Sequence, residues 1–462
     1  MKIVPPLDPG FVSAALWTRE YRRLVDRDAS SRPCKLVLMQ ADGSVFHHEE
    51  RLLGASHPEA ARTLRHVERL LKFLLWQKGG SRVRVAGAPE VAAFLKKEYS
   101  PSGARAFDHA FMGDKVYEEP FTVEAAGFDE LPAGQSQSLA IGRNLEGCRI
   151  GFDLGGSDRK AAALIDGKVV YSEEIAWDPY FQKDPAYHIE GVHDSLKRAA
   201  AHLPRVDAIG GSAAGVYVNN EVRVASLFRG VSADDFDAHI RRMFFSLRER
   251  WGGVPFEVVN DGEVTALAAS MSLGLNSVLG ISMGTSQAGG YVTPAGTITP
   301  WLNELAFAPI DYRVDAPRDE WSGDAGCGVQ YFSQQGVGRL AVLAGFEFPA
   351  EMGLPERLVE VQKAMAAGDH RARAVYETIG VCFGHALAHY ADFYELSHVL
   401  ILGRVTSGPG GEIILERARA VLRAEFPELA GRLSLHTPDE NNKRHGQAVA
   451  AASLPATAPV VC

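Results

Sequence analysis

RIGFDLGGSDRKAAAL, residues 149–164, decides the fold class that we predict for this chain. An apolar strand carries Asp153 near its end and is followed by Gly155 and Gly156. Because glycine has no Cβ, backbone N–H groups in such a turn can approach an anion closely. The stretch therefore predicts a phosphate-binding turn, and an ordinary Gly-Gly hairpin corner is the alternative.

The residues after Ser157 determine which kind of phosphate turn this is. They form a second apolar run (161–165), an Asp166-Gly167 turn and a third strand (168–175). In a Walker loop or a Rossmann fingerprint the glycines open a helix instead. We therefore expect the turn to lie between the strands of a hairpin meander.

A second copy of this arrangement occurs at residues 277–301, SVLGISMGTSQAGGYVTPAGTITPW. It reads as a strand, the small-residue turn Gly284-Thr285-Ser286, a strand, the turn Ala295-Gly296 and another strand. Two such hairpins, separated by a helix-rich stretch, indicate two similar half-structures that could hold a phosphate chain from both sides.

Composition limits the classes of protein to consider. At 462 residues the chain should form two or three domains. A net charge of −9 without a long basic run argues against a nucleic-acid-binding protein. No apolar run approaches the ~20 residues that span a bilayer, and the N-terminus lacks a signal-peptide core, so we expect a cytoplasmic protein. The five scattered cysteines, without CxxC, predict neither disulfides nor a cysteine zinc site.

Residues 1–147 are interpreted as a small accessory α/β domain. We predict a hairpin (35–39 and 45–53), a long amphipathic helix between Pro58 and a stop at Gly79-Gly80 with apolar positions from 60 to 75, a helix at 90–99, and strands at 83–86 and 120–123. The Gly-, Pro-, Ser- and Gln-rich residues 125–145 are predicted to be its linker.

The central section alternates as a sheet flanked by helices would. A helix at 192–203 and a short strand at 206–209 precede the small residues 210–215, which could form a ligand-lining loop or a flexible turn. Ser232 is predicted to cap a helix that continues to Arg250.

The next strand, at 256–259, leads to Asn260 and Asp261 and then to a helix at 263–273. Ligands of open α/β sheets bind outside the carboxyl ends of strands. An ionised Asp261 there could accept the proton of a substrate hydroxyl that attacks phosphorus. The alternative is that Asn260 and Asp261 only cap the helix.

These motifs resemble, in order, parts of the actin-like ATPase superfamily of sugar kinases. Asp153 with Gly155, Gly156 and Ser157 is similar to phosphate 1, Asn260-Asp261 to the catalytic strand end, and Gly284-Thr285-Ser286 to phosphate 2. Among these kinases the chain resembles most the ROK family, from about residue 149 to the C-terminus. The resemblance implies an α/β, two-lobed actin-like ATPase (ribonuclease H-like) fold with an additional small N-terminal α/β domain. The domains implied are 1–147 (accessory), 148–262 (first lobe) and 263–462 (second lobe, with a C-terminal helix that returns to the first).

Further segments resemble the same family. Residues 207–215 are similar to its GxxxxG loop, which makes Gly211 and Ser212 candidate substrate contacts, and VASLFRG (224–230) is similar to its sugar-side loop. Gly403, Val405 and Thr406 follow a helix at 380–395 and a strand, as in the adenosine segment. The ending from His445 to Ala451 is similar to the C-terminal GAA helix.

Two departures from the ROK pattern concern the sugar and zinc sites. Where the family has GExGH, this chain has NELAF (303–307), which keeps Glu304 but places Phe307 at the His position. Where the family has CxCGxxGCxE, only Cys327 is kept. We expect no structural zinc, because one thiolate cannot build a closed tetrahedral site, and we expect an altered sugar pocket.

Two other groups of residues allow alternative interpretations. His385 and His389 have the spacing of a zincin helix without its Glu, which favours a core or interface pair over a metal site. An aromatic group could line a sugar-stacking pocket or belong to the core. It comprises Trp301, Phe307, Tyr312 and Trp321.

The resemblance implies a kinase that transfers the γ-phosphate of Mg-ATP to a hydroxyl of a hexose or sugar-like compound. Asp261 would be the base, Asn260 and Glu304 would orient the acceptor, and Asp153 would hold Mg²⁺ through water. The backbone of the two glycine turns would bind the phosphates. Asp158 adds a negative charge beside Ser157, which could weaken ATP binding or point away from it.

The partners implied are a small sugar and ATP. We expect no nucleic-acid or membrane partner, and the resemblance is compatible with a homodimer. A catalytically silent sugar- or nucleotide-sensing regulator and a phosphoanhydride hydrolase are the alternatives to the kinase.

Overall fold

The computed structural model describes residues 1–135, 141–437 and 446–457. The chain divides into two compact units, both discontinuous in sequence. Unit 1 comprises Met1–Ser138, Ile281–Gly289 and Trp301–Thr437, and unit 2 comprises Leu139–Gly280, Gly290–Pro300 and Pro438–Cys462. The domain boundaries at 147 and 262 stay a prediction, since compactness alone does not show where an accessory domain ends.

The first part of unit 1 forms a four-stranded sheet with helices. Its elements are α1 (Ala14–Arg27), β1 (Arg32–Met39), β2 (Val45–Leu52), α2 (Ala61–Lys78), β3 (Arg82–Ala86), α3 (Pro89–Glu98), α4 (Ala106–Ala110), a π-helical segment (Phe111–Tyr117) and β4 (Thr122–Ala126). The strand order is β2-β1-β3-β4; β1 is antiparallel to β2 and β3, and β3 is parallel to β4. The predicted hairpin, helices and strands of this section are all present.

Three helical segments here were not predicted, namely α1, α4 and the π-helical segment Phe111–Tyr117. α1 begins after Ser13, whose side chain accepts a hydrogen bond from the Leu16 N–H, and it buries Tyr21 and Val25. α2 ends at the predicted Gly79-Gly80 stop, where Gly79 adopts a φ of 83°. A Cβ at Gly79 would lie 1.8 Å from the Tyr117 hydroxyl, so the chain needs glycine at this helix end.

Unit 2 is built around a five-stranded sheet. Its elements are β5 (Cys148–Leu154), β6 (Asp158–Ile165), β7 (Lys168–Ala176), α5 (Pro185–Ala200), β8 (Ala208–Ala213), β9 (Val216–Val218), β10 (Glu221–Val224), α6 (Ala233–Asp235), α7 (Met243–Arg250), β11 (Phe256–Asn260) and α8 (Asp261–Leu273). The strand order is β11-β8-β5-β6-β7, with β5, β8 and β11 parallel and the β5-β6-β7 meander antiparallel. The predicted hairpin meander around the first glycine turn is thereby confirmed.

The remaining elements complete both units. They are β12 (Val278–Met283), β13 (Gln287–Val292), α9 (Gln334–Leu343), α10 (Leu354–Ala366), α11 (His370–Tyr390), β14 (His398–Leu402), α12 (Pro409–Glu425), α13 (Pro427–Ala430), β15 (Ser434–His436) and α14 (Gly446–Ala452). A further sheet has the order β13-β12-β14-β15, and α14 belongs to unit 2. In the described ranges no helix is both long and apolar enough to cross a membrane.

Several predicted elements were wrong in detail. Residues 210–213 belong to strand β8, because their small side chains fit a fully buried strand, so the predicted loop is shorter. The predicted helix 232–250 is broken into α6, a π-helical segment (Phe236–Ile240) and α7. After Gly296 the chain makes isolated bridges at Ile298 instead of a third strand.

The predicted linker and C-terminal segments also differ from the structure. Residues 125 and 126 belong to β4, and Gln135 makes a bridge with Val45, while the linker residues 136–140 lie outside the described residues. The predicted helix 380–395 is α11, which begins earlier and ends at Tyr390. His445 lies outside the described residues, and the helix predicted after it is α14.

α14 packs directly on the central strands of unit 2. A Cβ at Gly151 of β5 would lie 1.8 Å from the Ala448 carbonyl oxygen, and one at Gly210 of β8 would lie 1.7 Å from the Ala451 carbonyl oxygen. The backbone of α14 therefore approaches both strands at two points that only glycine permits.

Replacing either glycine should loosen this contact. We expect Gly151→Ala or Gly210→Ala to lower the free energy of unfolding by about 1–3 kcal/mol, because the methyl group must displace helix backbone. Urea denaturation measures the loss. Gly191→Ala in α5, where the new Cβ makes only ordinary contacts of 3.7 Å or more, is the control and should be neutral or slightly stabilising. Equal stability of all three variants would contradict the close approach.

Candidate active site

The carboxyl ends of three parallel strands of unit 2 lie level with one another. Leu154 at the end of β5 pairs in register with Ala213 at the end of β8, and Ala213 pairs with Asn260 at the end of β11. This register brings Asp153 and Asp261 to the same edge of the sheet. The structure thus joins two of the predicted site residues that are more than a hundred positions apart in sequence.

Asp153 is held by its register neighbour. Ser212 pairs with Asp153 across β5 and β8, and its Oγ donates a 2.6 Å hydrogen bond to Asp153 Oδ1. The Lys160 ammonium lies 3.9 Å from Asp153 Oδ2. Burial raises the pKa of Asp153, although Ser212 and Lys160 favour the ionised form. Ser212, predicted to contact substrate, therefore orients a carboxylate.

Asp261 is the first residue of α8, and Asn260 is its cap. Asn260 Oδ1 accepts a 2.7 Å hydrogen bond from the Gly262 N–H, and its Nδ2 donates to the Gly215 carbonyl oxygen at 2.7 Å. The alternative that the residue caps the following helix is therefore correct for Asn260. It does not account for Asp261, whose carboxylate is affected by burial and by the like charge of Asp153.

Two effects raise the pKa of Asp261 to about 6. The larger is removal of the carboxylate from water, and the second is the negative charge of Asp153. A base with a pKa close to neutrality is suited to proton transfer at physiological pH.

The first glycine turn is tightly organised. The Gly155 N–H donates to the Asp158 carbonyl oxygen at 2.9 Å, and Ser157 Oγ donates to Asp158 Oδ2 at 2.9 Å. Lys160 lies 3.0 Å from the other oxygen of the Asp158 carboxylate. The extra negative charge of Asp158 is therefore paired with a lysine, and the Ser157 hydroxyl is engaged within the turn.

Three residues outside the predicted set of site residues support this turn. Trp177 Nε1 donates a 2.8 Å hydrogen bond to the Gly155 carbonyl oxygen. The Tyr180 hydroxyl lies 1.9 Å from the position that a Cβ at Gly156 would take, and the Arg229 guanidinium stacks 4.0 Å above the Tyr180 ring. Arg229 lies in VASLFRG, so the resemblance of that segment was the available signal; nothing marked Trp177 or Tyr180.

Gly211, the other predicted substrate contact of β8, is buried under a neighbouring side chain. A Cβ there would lie 2.2 Å from the Phe152 ring. Its role in the structure is to let β8 and this ring pack closely.

The second glycine turn belongs to unit 1. The Gly284 N–H donates to the Ser286 carbonyl oxygen at 2.9 Å, and the Gly284 carbonyl oxygen accepts from the Gln334 N–H at 2.9 Å. Gln334 is the first residue of α9, so a helix N-terminus adjoins the turn. Thr285 and Ser286 are exposed, which leaves them accessible to a ligand.

Gly403 of unit 1 is required by close backbone packing. Its φ is 99°, and a Cβ would lie 2.5 Å from the Met283 carbonyl oxygen. Thr406 Oγ1 donates to the Gly403 carbonyl oxygen at 2.9 Å, and Val405 is buried. Gly403 and Thr406 shape the turn after β14, and Val405 packs in the core.

Glu304 and Phe307, also in unit 1, lie against the N-terminal section. The Glu304 N–H donates to the Trp76 carbonyl oxygen at 2.9 Å. Phe307 is buried, with its ring 4.3 Å from Trp76, 5.9 Å from Phe107 and 5.4 Å from Trp321. The residue at the ROK His position is therefore part of an aromatic core. For Phe307, the core alternative holds instead of the sugar-stacking pocket.

A buried ion network holds the segment that replaces the zinc motif. The ammonium of Lys72 is fully buried and pairs with the carboxylates of Asp108 and Asp324, and Arg105 pairs with Asp324 and Glu68. Burial alone would lower the pKa of Lys72, but the two carboxylates outweigh it and raise that pKa. Cys327 is buried in the same region, and burial raises the pKa of its thiol to about 12.

His385 and His389 are core residues of α11. Both are buried, and burial lowers their pKa to about 4 and about 3 respectively. His389 packs edge-on against Phe73, and His385 packs against Phe11. Among the residues that the structure describes, no cluster of three or more His, Cys, Asp or Glu side chains could hold a metal ion.

Comparison with solved structures identifies the fold. A ROK hexokinase from Thermus thermophilus is 20% identical, with a TM-score of 0.52 over 66% of this chain and 98% of that chain. A ROK-family glucokinase from Streptomyces griseus, solved in complex with glucose and AMPPNP, is 20% identical, with a TM-score of 0.50 over 66% and 98% of the two chains. A ROK-family transcriptional regulator, a homolog of the E. coli MLC protein, is 19% identical, with a TM-score of 0.53 over 67% and 78%.

These likenesses confirm the predicted actin-like, ROK-type α/β fold. No protein-family model matches the chain. No curated protein matches it either. Since both kinases and a regulator share the fold, the fold alone does not assign an activity.

The raised pKa of Asp261 has a consequence for stability. The ionised carboxylate is disfavoured in the folded state, so its cost is absent below the unfolded-state pKa of about 4 and is complete once the pH has risen through about 6. Asp261→Asn removes that cost. We expect the variant to unfold with a free energy about 1–3 kcal/mol higher than the wild type at pH 7.5, and equal to it near pH 3, in urea denaturation.

The exposed Asp114 provides the matched control for this substitution. Asp114→Asn should change stability little at either pH. If Asp261→Asn were less stable than the wild type at pH 7.5, the claim that the ionised Asp261 destabilises the fold would be wrong.

The buried ion network makes a second prediction. Lys72→Met should lower the free energy of unfolding by about 3–5 kcal/mol, because it leaves Asp108 and Asp324 buried without their shared cation. Thermal and urea unfolding measure the effect, and Lys97→Met, at an exposed position of α3, is the control. A loss no larger than that of the control would show that the carboxylates are not dependent on Lys72.

Proposed function

We propose that this chain is an ATP-dependent sugar kinase that transfers the γ-phosphate of Mg-ATP to a hydroxyl of a hexose or sugar-like substrate. The observation that carries the proposal is the carboxylate Asp261, placed at the carboxyl end of β11 with a pKa of about 6. The charge of Asp153 contributes to that pKa. A protein that only binds sugar has no need of such a base.

Asp261 would accept the acceptor hydroxyl's proton as the oxygen attacks phosphorus. Its pKa near 6 keeps it mostly ionised at neutral pH while making it a stronger base than an ordinary aspartate. Phosphoryl transfer otherwise depends on positioning and on charge stabilisation. Asn260, whose side chain anchors the start of α8, would orient the acceptor together with Glu304.

The phosphate groups would be bound by the two glycine turns. Backbone N–H groups around Gly155 and Gly156, with Ser157, would bind one part of the triphosphate, and Gly284, Thr285 and Ser286 would bind another. Gly403, Val405 and Thr406 would shape the adenosine site. The Streptomyces griseus glucokinase, which was solved with AMPPNP, supports ATP as the donor.

The residues at the sheet edge fit a divalent cation. Asp153 is a buried carboxylate whose charge disfavours ionisation of Asp261, and a cation would relieve this repulsion. Asp153 would hold Mg²⁺ through water, as Mg²⁺ commonly keeps its water ligands. The ion would neutralise charge on the phosphates.

The sugar pocket must differ from the ROK pattern. Phe307 cannot donate or accept a hydrogen bond, and it packs in the aromatic core with Trp76. A sugar bound next to Glu304 would therefore lose one polar contact, which changes the preference among sugars. The same observation favours the alternative, a catalytically silent sugar- or nucleotide-sensing regulator.

We also propose a cytoplasmic protein that acts on small molecules, without nucleic acid or membrane partners, and that could assemble as a homodimer. The charge of −9 supports the absence of a nucleic-acid partner. The dimer rests on the ROK resemblance alone.

The test is to incubate the protein with ATP, Mg²⁺ and a panel of hexoses and related sugars, and to measure ADP. We expect sugar-dependent ADP formation that Asp261→Asn lowers by at least about 100-fold. ATP binding by the variant, measured by calorimetry, should stay within a few-fold of the wild type. The wild-type kcat/KM should fall about tenfold per pH unit below pH 6, since the base must be ionised.

Two other outcomes would reject the kinase, and a third would reject only the role of Asp261. Sugar binding without ADP formation across the panel would identify a sensor. Phosphate release that does not depend on any sugar would identify a hydrolase. Equal sugar phosphorylation by wild type and Asp261→Asn would remove Asp261 from the mechanism.

A further inference from the structure

The side chain of Arg229 in unit 2 is exposed and stacked on aromatic rings. Its guanidinium carbon lies 4.0 Å from the centre of the Tyr180 ring and 5.1 Å from the centre of the Phe181 ring. The side chain makes no hydrogen bond or ion pair with any residue that the structure describes. A stacked guanidinium keeps its N–H donors at the edge of its plane, where they can bind an anion. The rings therefore hold Arg229 in place while its donors stay available.

Tyr180 places this guanidinium beside the first glycine turn. A Cβ at Gly156 would lie 1.9 Å from the Tyr180 hydroxyl, so the phenol touches the backbone of the turn. Gly230, which follows Arg229, packs closely as well, since a Cβ there would lie 2.6 Å from the Gln182 carbonyl oxygen. Both contacts hold the arginine against the segment that touches the turn.

The surroundings of the turn carry an excess of negative charge. Asp153 lies near the end of β5, Asp158 begins β6, and Asp261 lies at the same edge of the sheet. The Lys160 ammonium lies 3.0 Å from Asp158 and 3.9 Å from Asp153. An incoming phosphate thus meets three carboxylates and one paired ammonium, and Mg²⁺ held by Asp153 would balance only part of this charge. Binding the phosphate needs a further cation.

The cations of β6 are already paired. Arg159 donates to Ser195 Oγ at 2.6 Å and pairs with Asp194 at 3.1 Å, which ties its guanidinium to α5. Lys160 is shared between two carboxylates. Arg229, by contrast, has free donors and a support that contacts the turn.

The position of the turn indicates which phosphate Arg229 meets. β5, which precedes the turn, and β11, which precedes Asp261, end level with each other at the sheet edge. A base must lie close to the attacking hydroxyl, and this hydroxyl must lie close to the phosphorus that is transferred. The phosphate at the first turn is therefore the one nearest to Asp261, which is the terminal phosphate.

We propose that Arg229 binds the terminal phosphate of the nucleotide and that Tyr180 positions the arginine. This inference rests on the proposed function, in which the first glycine turn binds part of the triphosphate. Two guanidinium N–H groups donate to two phosphate oxygens, a pairing that the planar fork of arginine favours. Stacking on Tyr180 limits the entropy that the side chain loses on binding. The positive charge also stabilises the phosphoryl group during transfer.

The test compares Arg229→Gln with the wild type by calorimetry, with Mg-ATP, Mg-ADP and adenosine as separate ligands and no sugar present. We expect the dissociation constant of Mg-ATP to rise about 10- to 100-fold, because a charge-assisted bidentate pair is lost. The dissociation constants of Mg-ADP and adenosine should change little, since neither ligand carries the terminal phosphate. Arg229→Lys should recover part of the affinity for Mg-ATP, because it keeps the charge but lacks the planar fork.

Arg242→Gln is the matched control. Arg242 is also exposed and stacks on an aromatic ring, with its guanidinium 5.1 Å from the centre of the Phe245 ring, but it pairs with Glu221. This variant should bind Mg-ATP as the wild type does.

Four results would overturn the proposal. The wild type could fail to bind Mg-ATP, or Arg229→Gln could bind it as tightly as the wild type. An equal loss of affinity for Mg-ADP and Mg-ATP would assign Arg229 to an inner phosphate. Weaker binding of glucuronate, an acidic sugar, with unchanged binding of Mg-ATP would assign the arginine to the acceptor.

The kinase and the role of Arg229 can fail separately. Mg-ATP binding that depends on Arg229, without sugar-dependent ADP formation, would support the phosphate contact and reject the kinase. Sugar-dependent ADP formation, with Mg-ATP bound equally by wild type and Arg229→Gln, would support the kinase and reject the contact.

Discussion

The parallel register of β5, β8 and β11 is the constraint on which the candidate site depends. A strand that slipped by one residue would turn every side chain to the opposite face of the sheet, and Asp153 would lose the hydroxyl of Ser212. The register also sets the proximity of Asp153 and Asp261. Burial raises the pKa of Asp261, and the negative charge of Asp153 raises it further. Glycine at positions 151 and 210 lets α14 cover these strands, which places the charges on a rigid support.

The sequence predicted the features that depend on local patterns. Alternating apolar runs and glycine turns identified the β5-β6-β7 meander and the β12-β13 hairpin, because the period of a strand and the backbone freedom of glycine are visible in a few residues. The position of Asp261 at a strand end was predicted for the same reason. The ordered set of motifs then predicted the fold, which the solved structures confirm.

Features that depend on tertiary contacts were not predictable in this way. The small residues 210–213 read as a loop because nothing local shows that Phe152 and α14 cover them as a buried strand. The support of the first glycine turn by Trp177 and Tyr180 comes from a connecting segment without a motif. The functional roles of Asn260 and Glu304 stay predictions, because the cap that Asn260 makes on α8 and the backbone hydrogen bond of Glu304 to Trp76 do not test them.

The ion network of Lys72 joins two stretches that are distant in sequence, and we expect their residues to vary together among relatives. Lys72 and Asp108 come from the N-terminal section, whereas Asp324 occupies the segment that holds zinc ligands in the ROK pattern. Loss of the lysine or of an aspartate would leave a buried charge without its partner, so a substitution in one stretch requires a compensating substitution in the other. We therefore expect relatives with Asp at position 324 to have Lys at position 72. Relatives that carry the cysteines of the zinc motif should have neither residue.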